Sequence, residues 1–374
     1  MIMIKKFKRT FLFLSFGLVS GLSMAENGIT ENKIIIGQSA ALTGPEGEIG
    51  KHVRAGAEAY FDKVNKAGGV YGRQIVLKTL DDGFDAARAE MNTKQFIESE
   101  KVFALFGYVG NSPSLAAQPY VLSRHIPFVA PVSGAESLRS PFNREIINVR
   151  ASYEDEASRI VQFLGSTLAK NIAVFYQDDE TGKNGLDGVI KAMGRVDNRP
   201  VVTAGVNSLS DVSKAVHVIS AKDPGAVILI SNPKNSSEFI KQIKKSNPGI
   251  QFWTLSYAGT SALISDLGEQ GRGVGVSQIV PYPFQDAIPV SHELHSIMKD
   301  KVSFPAMEGY IAAKVFVEGL KRAGRNITRD SFITALEKGE IDVGGFKVNY
   351  SPFNHNGSSF VDTTIITRGG KIVQ

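Results

Sequence analysis

The side chains suited to holding a small polar molecule recur at one kind of place in this chain, the short stretches that follow apolar, β-branched runs. In the first half these are Ala40-Ala41-Leu42-Thr43-Gly44-Pro45, Gly107-Tyr108-Val109-Gly110-Asn111-Ser112-Pro113 and Pro131-Val132-Ser133-Gly134-Ala135. The second half adds Gln177-Asp178-Asp179-Glu180-Thr181-Gly182, Asn232-Pro233-Lys234 and Ser256-Tyr257-Ala258-Gly259-Thr260. Hydroxyl and amide side chains offer neutral donors and acceptors, and glycine leaves backbone N–H groups open to approach. Where a helix starts in such a loop, its free N–H groups and positive dipole end favour a carboxylate or another acceptor. Ser, Thr and Asn are also the ordinary N-caps of any helix. A single loop of this kind therefore reads as a helix start. Their return after successive strands points to a shared site.

Bond-making chemistry has no comparable support. Gly-x-Ser-x-Gly, the nucleophile elbow of α/β hydrolases, does not occur. Neither does a Walker A pattern or His-Glu-x-x-His, and His292-Glu293-Leu294-His295 has the wrong spacing for two helical zinc ligands. Gly271-Arg272-Gly273-Val274-Gly275 fails the dinucleotide spacing and reads as a turn entering a strand. Asp81, Asp82 and Asp85 suggest a cation cluster, but Asp85 directly precedes a helical pattern and is better read as its cap. No catalytic residue, metal or cofactor is expected.

The elements that position the loops follow from periodicity. Strands are expected near 33–39, 74–81, 102–106, 127–130, 146–149, 171–176, 201–204, 226–231, 251–255, 275–280 and 361–367. Between them Val53, Ala57, Tyr60, Phe61 and Val64 fall on one helical face, as do Ile160, Phe163, Leu164 and Leu168, and Val212, Val216 and Ile219. Such alternation implies parallel sheets covered on both faces. The length favours two domains over one large sheet. The pattern restarts after Val149, breaks at Val280-Pro281-Tyr282-Pro283, and closes with an apolar strand after two helical stretches, 305–322 and 328–338. The expected fold class is thus α/β, with two doubly wound, Rossmann-like lobes joined by three hinge crossings. Lobe one takes residues 26–149 and 281–356, and lobe two takes 150–280 and 357–374. In such sheets a ligand sits beyond the carboxyl ends of the strands. Arg150, at the first crossing, suits either an anionic ligand or a hinge salt bridge. Tyr108, Tyr153, Tyr257 and Tyr282 suit either stacking on a ligand or packing of hinge and wall.

The amino terminus reads as an export signal. Lys5, Lys6, Lys8 and Arg9 precede an apolar run, 11–22, and a small-x-small Ser23-Met24-Ala25. Twelve helical residues rise about 18 Å, short of a hydrocarbon core of about 30 Å, so a signal peptide of residues 1–25, cleaved after Ala25, is expected rather than an anchor. The chain carries 42 Lys and Arg against 37 Asp and Glu. Removing the four basic residues of the signal leaves 38 against 37, a net of +1. Near-neutrality gives no electrostatic reason to expect nucleic acid or an anionic membrane as partner. With no cysteine there is no disulfide, no thiolate site and no lipid-modified cysteine anchor, and a periplasmic location is expected.

Ile34-Ile35-Ile36-Gly37-Gln38-Ser39-Ala40-Ala41-Leu42-Thr43-Gly44-Pro45, Gly56-Ala57-Glu58-Ala59-Tyr60-Phe61 and Asn65-Lys66-Ala67-Gly68-Gly69-Val70-Tyr71-Gly72 form an ordered series. Leu80-Asp81-Asp82, Phe106-Gly107, Pro127-Phe128 and Glu308-Gly309-Tyr310 continue it. In these motifs the chain resembles the branched-chain amino-acid (leucine/isoleucine/valine) type of substrate-binding protein of ABC transporters, with the type I periplasmic-binding fold. The resemblance implies a small-molecule ligand in an interlobe cleft, an inner-membrane ABC permease as partner, and a monomer without enzymatic activity. It places lobe-one contacts to a ligand carboxylate at Asn111-Ser112 and Val132-Ser133-Gly134, and lobe-two contacts at Thr181, Asn232 and Tyr257. At Thr181 and Asn232 the family tends to carry aromatics, and near Tyr257 an acid that pairs with the ligand's ammonium. This chain departs at all three. Asp178 or Asp179 can stand in for that acid, although strand-end acids are more often solvated or capping groups, and the ligand is expected to be an amino acid, an amide, or a small organic or aromatic acid. A ligand-presenting sensor and an exported enzyme are the alternative readings.

Overall fold

The structure, a computed structural model, describes residues 26–374 other than 45, 168 and 170. The expected signal peptide, Pro45 and the helical-face position Leu168 lie outside the described residues. From the amino terminus run β1 (Lys33–Ala40), α1 (Gly47–Lys66), β2 (Gln74–Asp81), α2 (Ala86–Lys94), β3 (Ala104–Phe106), α3 (Asn111–Arg124), β4 (Phe128–Val129) and β5 (Ile146–Ile147). Next come α4 (Tyr153–Ser166), β6 (Ile172–Gln177), α5 (Glu180–Gly194), β7 (Val202–Val206), α6 (Val212–Ser220), β8 (Ala226–Ile230), α7 (Pro233–Ser246), β9 (Gln251–Thr254), α8 (Thr260–Leu267) and β10 (Gly275–Gln278). The chain closes with α9 (Pro289–Met298), α10 (Phe304–Ala323), α11 (Arg329–Leu336), β11 (Ile341–Asp342), β12 (Lys347–Val348), β13 (Asp362–Ile366) and β14 (Ile372–Val373).

Two large sheets result, ordered β2-β1-β3-β4-β5 and β14-β13-β10-β9-β8-β6-β7, and β11 and β12 form a separate two-stranded antiparallel sheet. The first is wholly parallel, as its β-branched strands predict. The second departs from the all-parallel expectation: β13 runs antiparallel to β10, and β14 antiparallel to β13. The reason is connectivity. β10 ends at the second crossing, whereas β13 begins at the third, so the two strands traverse the sheet in opposite senses. The two-residue pieces β11, β12 and β14 carry too short a pattern to be read from sequence.

Each large sheet is buried by helices on both faces. Phe61, Phe106, Phe316 and Phe332 anchor the core under α1, α10 and α11, while Phe96, Tyr108 and Phe128 fill the opposite face. Phe175, Phe239 and Phe252 fill one face of the second sheet, and Ile160, Leu164 and Trp253 the other. Helices α9 to α11 thus return to the first lobe before β13 re-enters the second. The first and third crossings lie side by side, with the Asn148 N–H donating to the His355 carbonyl at 2.9 Å and the Gly357 N–H to the Asn148 carbonyl at 2.9 Å. The Tyr282 hydroxyl of the second crossing donates to the Ile372 carbonyl at 2.8 Å.

Helices α1 and α10 approach so closely that only glycine fits between them. A Cβ at Gly56 would stand 1.9 Å from the Ala306 carbonyl oxygen, and one at Gly309 would stand 2.0 Å from that of Val53. Both obstacles are backbone, so neither can rotate away. Gly309→Ala is therefore expected to destabilise the chain by roughly 1–3 kcal/mol, the usual cost of overpacking. Urea unfolding midpoints of the two proteins check this.

Candidate functional site

Residues just past the carboxyl ends of both sets of parallel strands converge on one cleft, as expected for open α/β sheets. Its inner chamber, about 50 Å3, is lined by Glu46 after β1, Phe84 after β2, Gly110 after β3, Val132 after β4, Arg150 and Tyr153 after β5, Tyr257 after β9, and Glu308 of α10. An outer chamber of about 580 Å3 is lined by Leu209, Asn232, Lys234, Ala262 and others. Ile49, Gly259, Thr260, Phe304 and Pro305 line both, so the two chambers form one continuous cleft between the sheets.

Arg150 is the electrostatic centre of the inner end. Its guanidinium donates to Glu156 Oε1 at 2.8 Å, Glu308 Oε1 at 3.3 Å and Ser256 Oγ at 2.7 Å. Glu156 is fully buried and also accepts from the Ser256 N–H at 2.8 Å and the Ser277 hydroxyl at 2.6 Å. Burial alone would favour a neutral Arg150, but the Glu308 and Glu156 carboxylates over-compensate and hold its pKa above the ordinary value. Burial raises the Glu308 carboxyl, with Arg150 opposing. The cluster joins the first crossing to α4, to the β9 edge and to α10. Of the two readings open for Arg150, the hinge salt bridge is present. Arg139 fastens the same crossing, donating to the Ala135 carbonyl at 2.8 Å and the Arg150 carbonyl at 3.1 Å.

Glu46 is the residue that sequence reasoning missed. It is 8% exposed, it lines the inner chamber, and its carboxylate makes no hydrogen bond among the described residues. Burial, followed by the negative charge of Asp179, pushes its pKa up to about 7. The signal available in sequence was an acid directly after Gly44-Pro45 in the first of the strand-end loops. Tyr257 lies in the same field. Burial, Glu46 and Asp179 together push its phenol well above the ordinary range.

The expected site residues divide into groups. Val132, Arg150, Tyr153 and Tyr257 line the inner chamber, and Asn232 lines the outer one. Tyr153 carries the Arg150 guanidinium over its ring, 5.9 Å from the centroid. Gly134 is obligatory here, since a Cβ would stand 2.7 Å from the Tyr153 backbone nitrogen whose N–H the Gly134 carbonyl accepts. Asn111 and Ser112 open α3, and Ser133 donates to Asn111 Oδ1 at 3.5 Å. Asn111 Nδ2 and Thr181 Oγ1 are buried without a hydrogen-bond partner. Their helices, α3 and α5, touch each other from opposite lobes. Asn232 caps α7 by accepting the Asn235 N–H at 3.0 Å, and its amide donates to Gln177 Oε1 at 3.3 Å.

Two of the expected tyrosines line neither chamber. Tyr108 is fully buried in the core, edge-on to Phe128, with its hydroxyl 2.9 Å from that of Thr93. Its ring therefore packs the far face of the first sheet. Tyr282 packs against Phe284 and Phe304 and ties the second crossing to β14. Asp179 is engaged as the cap of α5, accepting the Gly182 N–H at 2.9 Å, while Asp178 pairs with Lys183 at 2.8 Å. Asp85 caps α2 through the Arg88 N–H, as expected. Asp81 instead fixes the loop after β1, accepting from the Leu42 N–H at 2.8 Å and the Thr43 hydroxyl at 2.7 Å.

The sequence matches the periplasmic binding protein family over residues 33–367. The Leu/Ile/Val-binding protein homolog 3 of Brucella melitensis is 23% identical over 319 residues, covering 82% of this chain and 84% of that protein. A crystal structure described as a possible leucine/isoleucine/valine-binding protein from Rhodopirellula baltica superposes with a TM-score of 0.85 at 28% identity, covering 94% of this chain and 98% of the other. A fatty acid ABC transporter substrate-binding protein from Thermomonospora curvata shares the fold, with a TM-score of 0.82 at 20% identity over 93% and 92% of the two chains. The chain belongs to the periplasmic binding protein family. Its two α/β lobes, with three crossings and a cleft between, are the type I architecture of that family. Among the described residues no helix is long and apolar enough to cross a membrane.

Two outcomes follow from the electrostatics. Arg150→Met leaves the Glu156 and Glu308 carboxylates buried without their cation, and is expected to cost roughly 3–5 kcal/mol, read from urea denaturation. For Glu46 the folded pKa lies above its ordinary 4.5. Folded protein therefore binds a proton that unfolded chain has released, and stability falls as pH rises from about 4.5 through about 7. Glu46→Gln removes that loss. It should exceed the parent by ~1–3 kcal/mol at pH 8. The two should converge at about pH 4 in thermal melts, below the ordinary pKa.

Proposed function

We propose that the chain is the solute-binding component of an ABC importer, capturing a small polar molecule (an amino acid, an amide, or a small organic or aromatic acid) between its lobes. The observation that carries this reading is the continuous cleft along the carboxyl ends of both sheets, into whose inner chamber the protein turns a buried Glu46 carboxylate with an unpartnered oxygen. An unpaired buried polar group costs about 1–3 kcal/mol. Asn111 Nδ2 and Thr181 Oγ1, buried without a partner on the touching helices α3 and α5 but lining neither chamber, are groups whose cost a ligand spanning the lobes removes only when the lobes are together. Ligand binding shifts an open–closed equilibrium by its differential affinity for the closed form. Lobe one, residues 26–149 and 281–356, and lobe two, residues 150–280 and 357–374, are the bodies that move.

In this reading Val132, Ser133, Gly134, Asn111 and Ser112 present lobe-one contacts, with Thr181, Asn232 and Tyr257 adding lobe-two contacts on closure. Arg150 and Tyr153 wall the inner end. The chain is exported through a signal peptide cleaved after Ala25, acts as a monomer, delivers its ligand to an inner-membrane permease, and leaves it chemically unchanged. The names of the leucine/isoleucine/valine-binding relatives support the solute class, and the fatty acid ABC transporter neighbour supports the transport role by fold.

Thermal-shift screening against amino acids, amides, carboxylates and aromatic acids tests it. A true ligand at 100 times its Kd adds about 2.7 kcal/mol of apparent stability. It should also shrink the radius of gyration in solution scattering and be recovered unaltered. Asn111→Ala and Thr181→Ala should each weaken it by roughly fivefold or more, the value of a net hydrogen bond. A solution shape unmoved by every tight ligand would refute the trap.

A further inference from the structure

The inner chamber holds more negative charge than the protein neutralises. Arg150 is the only cationic side chain among the residues that line it, and Glu156 and Glu308 already engage that guanidinium. Glu46 adds a second carboxylate to the chamber wall. It is more than nine-tenths buried, and one of its oxygens is closed off from solvent with no donor in reach. Asp179, at the start of α5, adds its charge from the opposite lobe. A buried carboxylate facing like charge is costly unless a cation or a strong donor arrives. An anionic ligand in this chamber would meet Glu46 and Glu308 with no free cation to receive it.

Beyond Glu46 the cleft changes character. Ile49, Thr260, Phe304 and Pro305 lead into the larger outer chamber, where Leu209 and Ala262 extend the apolar wall. We propose that the ligand carries a protonated amine that docks on the Glu46 carboxylate in the inner chamber, while its remaining body passes Ile49 and Phe304 into the outer chamber. The acid that holds the ammonium thus comes from lobe one, at the start of α1, and not from the Tyr257 position. This rests on the interlobe cleft being the solute site. It narrows the ligand class to amines, amino acids included, and removes simple carboxylic acids.

The charged and titratable groups around Glu46 set the pH behaviour. Asp179 faces it from α5, Tyr257 from the turn after β9, Arg150 and Tyr153 from the first crossing, and Glu308 from α10. Glu48 and His52 lie on α1 itself, toward the outer chamber. Glu46 takes up a proton near neutrality. Docking of a protonated amine therefore displaces that proton, and affinity rises with pH through this range.

Calorimetry on the purified chain with matched probes tests the proposal: n-hexylamine against hexanoate, phenethylamine against phenylpropionate, and L-leucine against 4-methylpentanoate. The amine of each pair should bind at least about tenfold more tightly, the worth of one charge-assisted hydrogen bond. Glu46→Gln, nearly the same shape, should erase that preference. It should also abolish proton release at pH 7, measured as the dependence of binding heat on buffer ionisation. Its melting curve at pH 5 confirms folding, and Glu98→Gln, at an exposed acid outside the cleft, serves as a control that leaves the preference intact. Carboxylates binding as well as their amines, or an amine preference surviving Glu46→Gln, would overturn the amine assignment while leaving the cleft as the solute site. Absence of binding by every probe and by the wider screening panel would overturn both.

Discussion

The Arg150 ion cluster is the interaction on which the arrangement of the lobes depends. Arg150 occupies the first crossing, and its guanidinium is shared among Glu156 of α4, Ser256 at the end of β9 and Glu308 of α10. Glu156 and Ser256 belong to the second sheet's side, Glu308 to the first. A buried cation has to be matched by carboxylates and fully hydrogen-bonded, or its desolvation exceeds its attraction. That requirement fixes the position of three chain segments at the floor of the cleft. Arg139 adds a second buried guanidinium spent on backbone carbonyls of the same crossing.

The same requirement explains why Arg150 is poorly placed to receive an anionic ligand. Its donors are committed, so the polarity of the chamber is set by what is left over. Chief among them is the Glu46 carboxylate, buried with an oxygen that the protein does not partner. Orphaned groups of this kind are rare in folded interiors and mark the places where a ligand or a movement completes the structure. Here Glu46 borders a space between two bodies joined by short crossings, which is the geometry of a closing trap.

Much of this architecture was legible from residue order. The strand positions, the capping role of Asp85 and the restart of the pattern after Val149 follow from local rules, since alternation, cap chemistry and β-branched runs act over a few residues. The antiparallel entry of β13 was not legible, because strand direction depends on where the returning helices leave the chain. Tyr108 and Tyr257 illustrate the same limit within the site. Both follow strands and both are aromatic. One turns into the core against Phe128 and Thr93, and the other turns into the chamber beside Glu46.

By itself the sequence determined a cysteine-free α/β chain of two lobes, with its polar loops at the strand ends. Hydrophobic periodicity and composition suffice for that, because each strand and helix buries a face whose spacing is written locally. The charge balance inside the cleft was decided only by the tertiary structure. Glu46 and Asp179 are far apart in sequence, as are Arg150 and Glu308. Their fields add because folding removes the water that would otherwise screen them. Burial and proximity across lobes are properties of the assembled fold, and they select which of many scattered acids confronts the ligand.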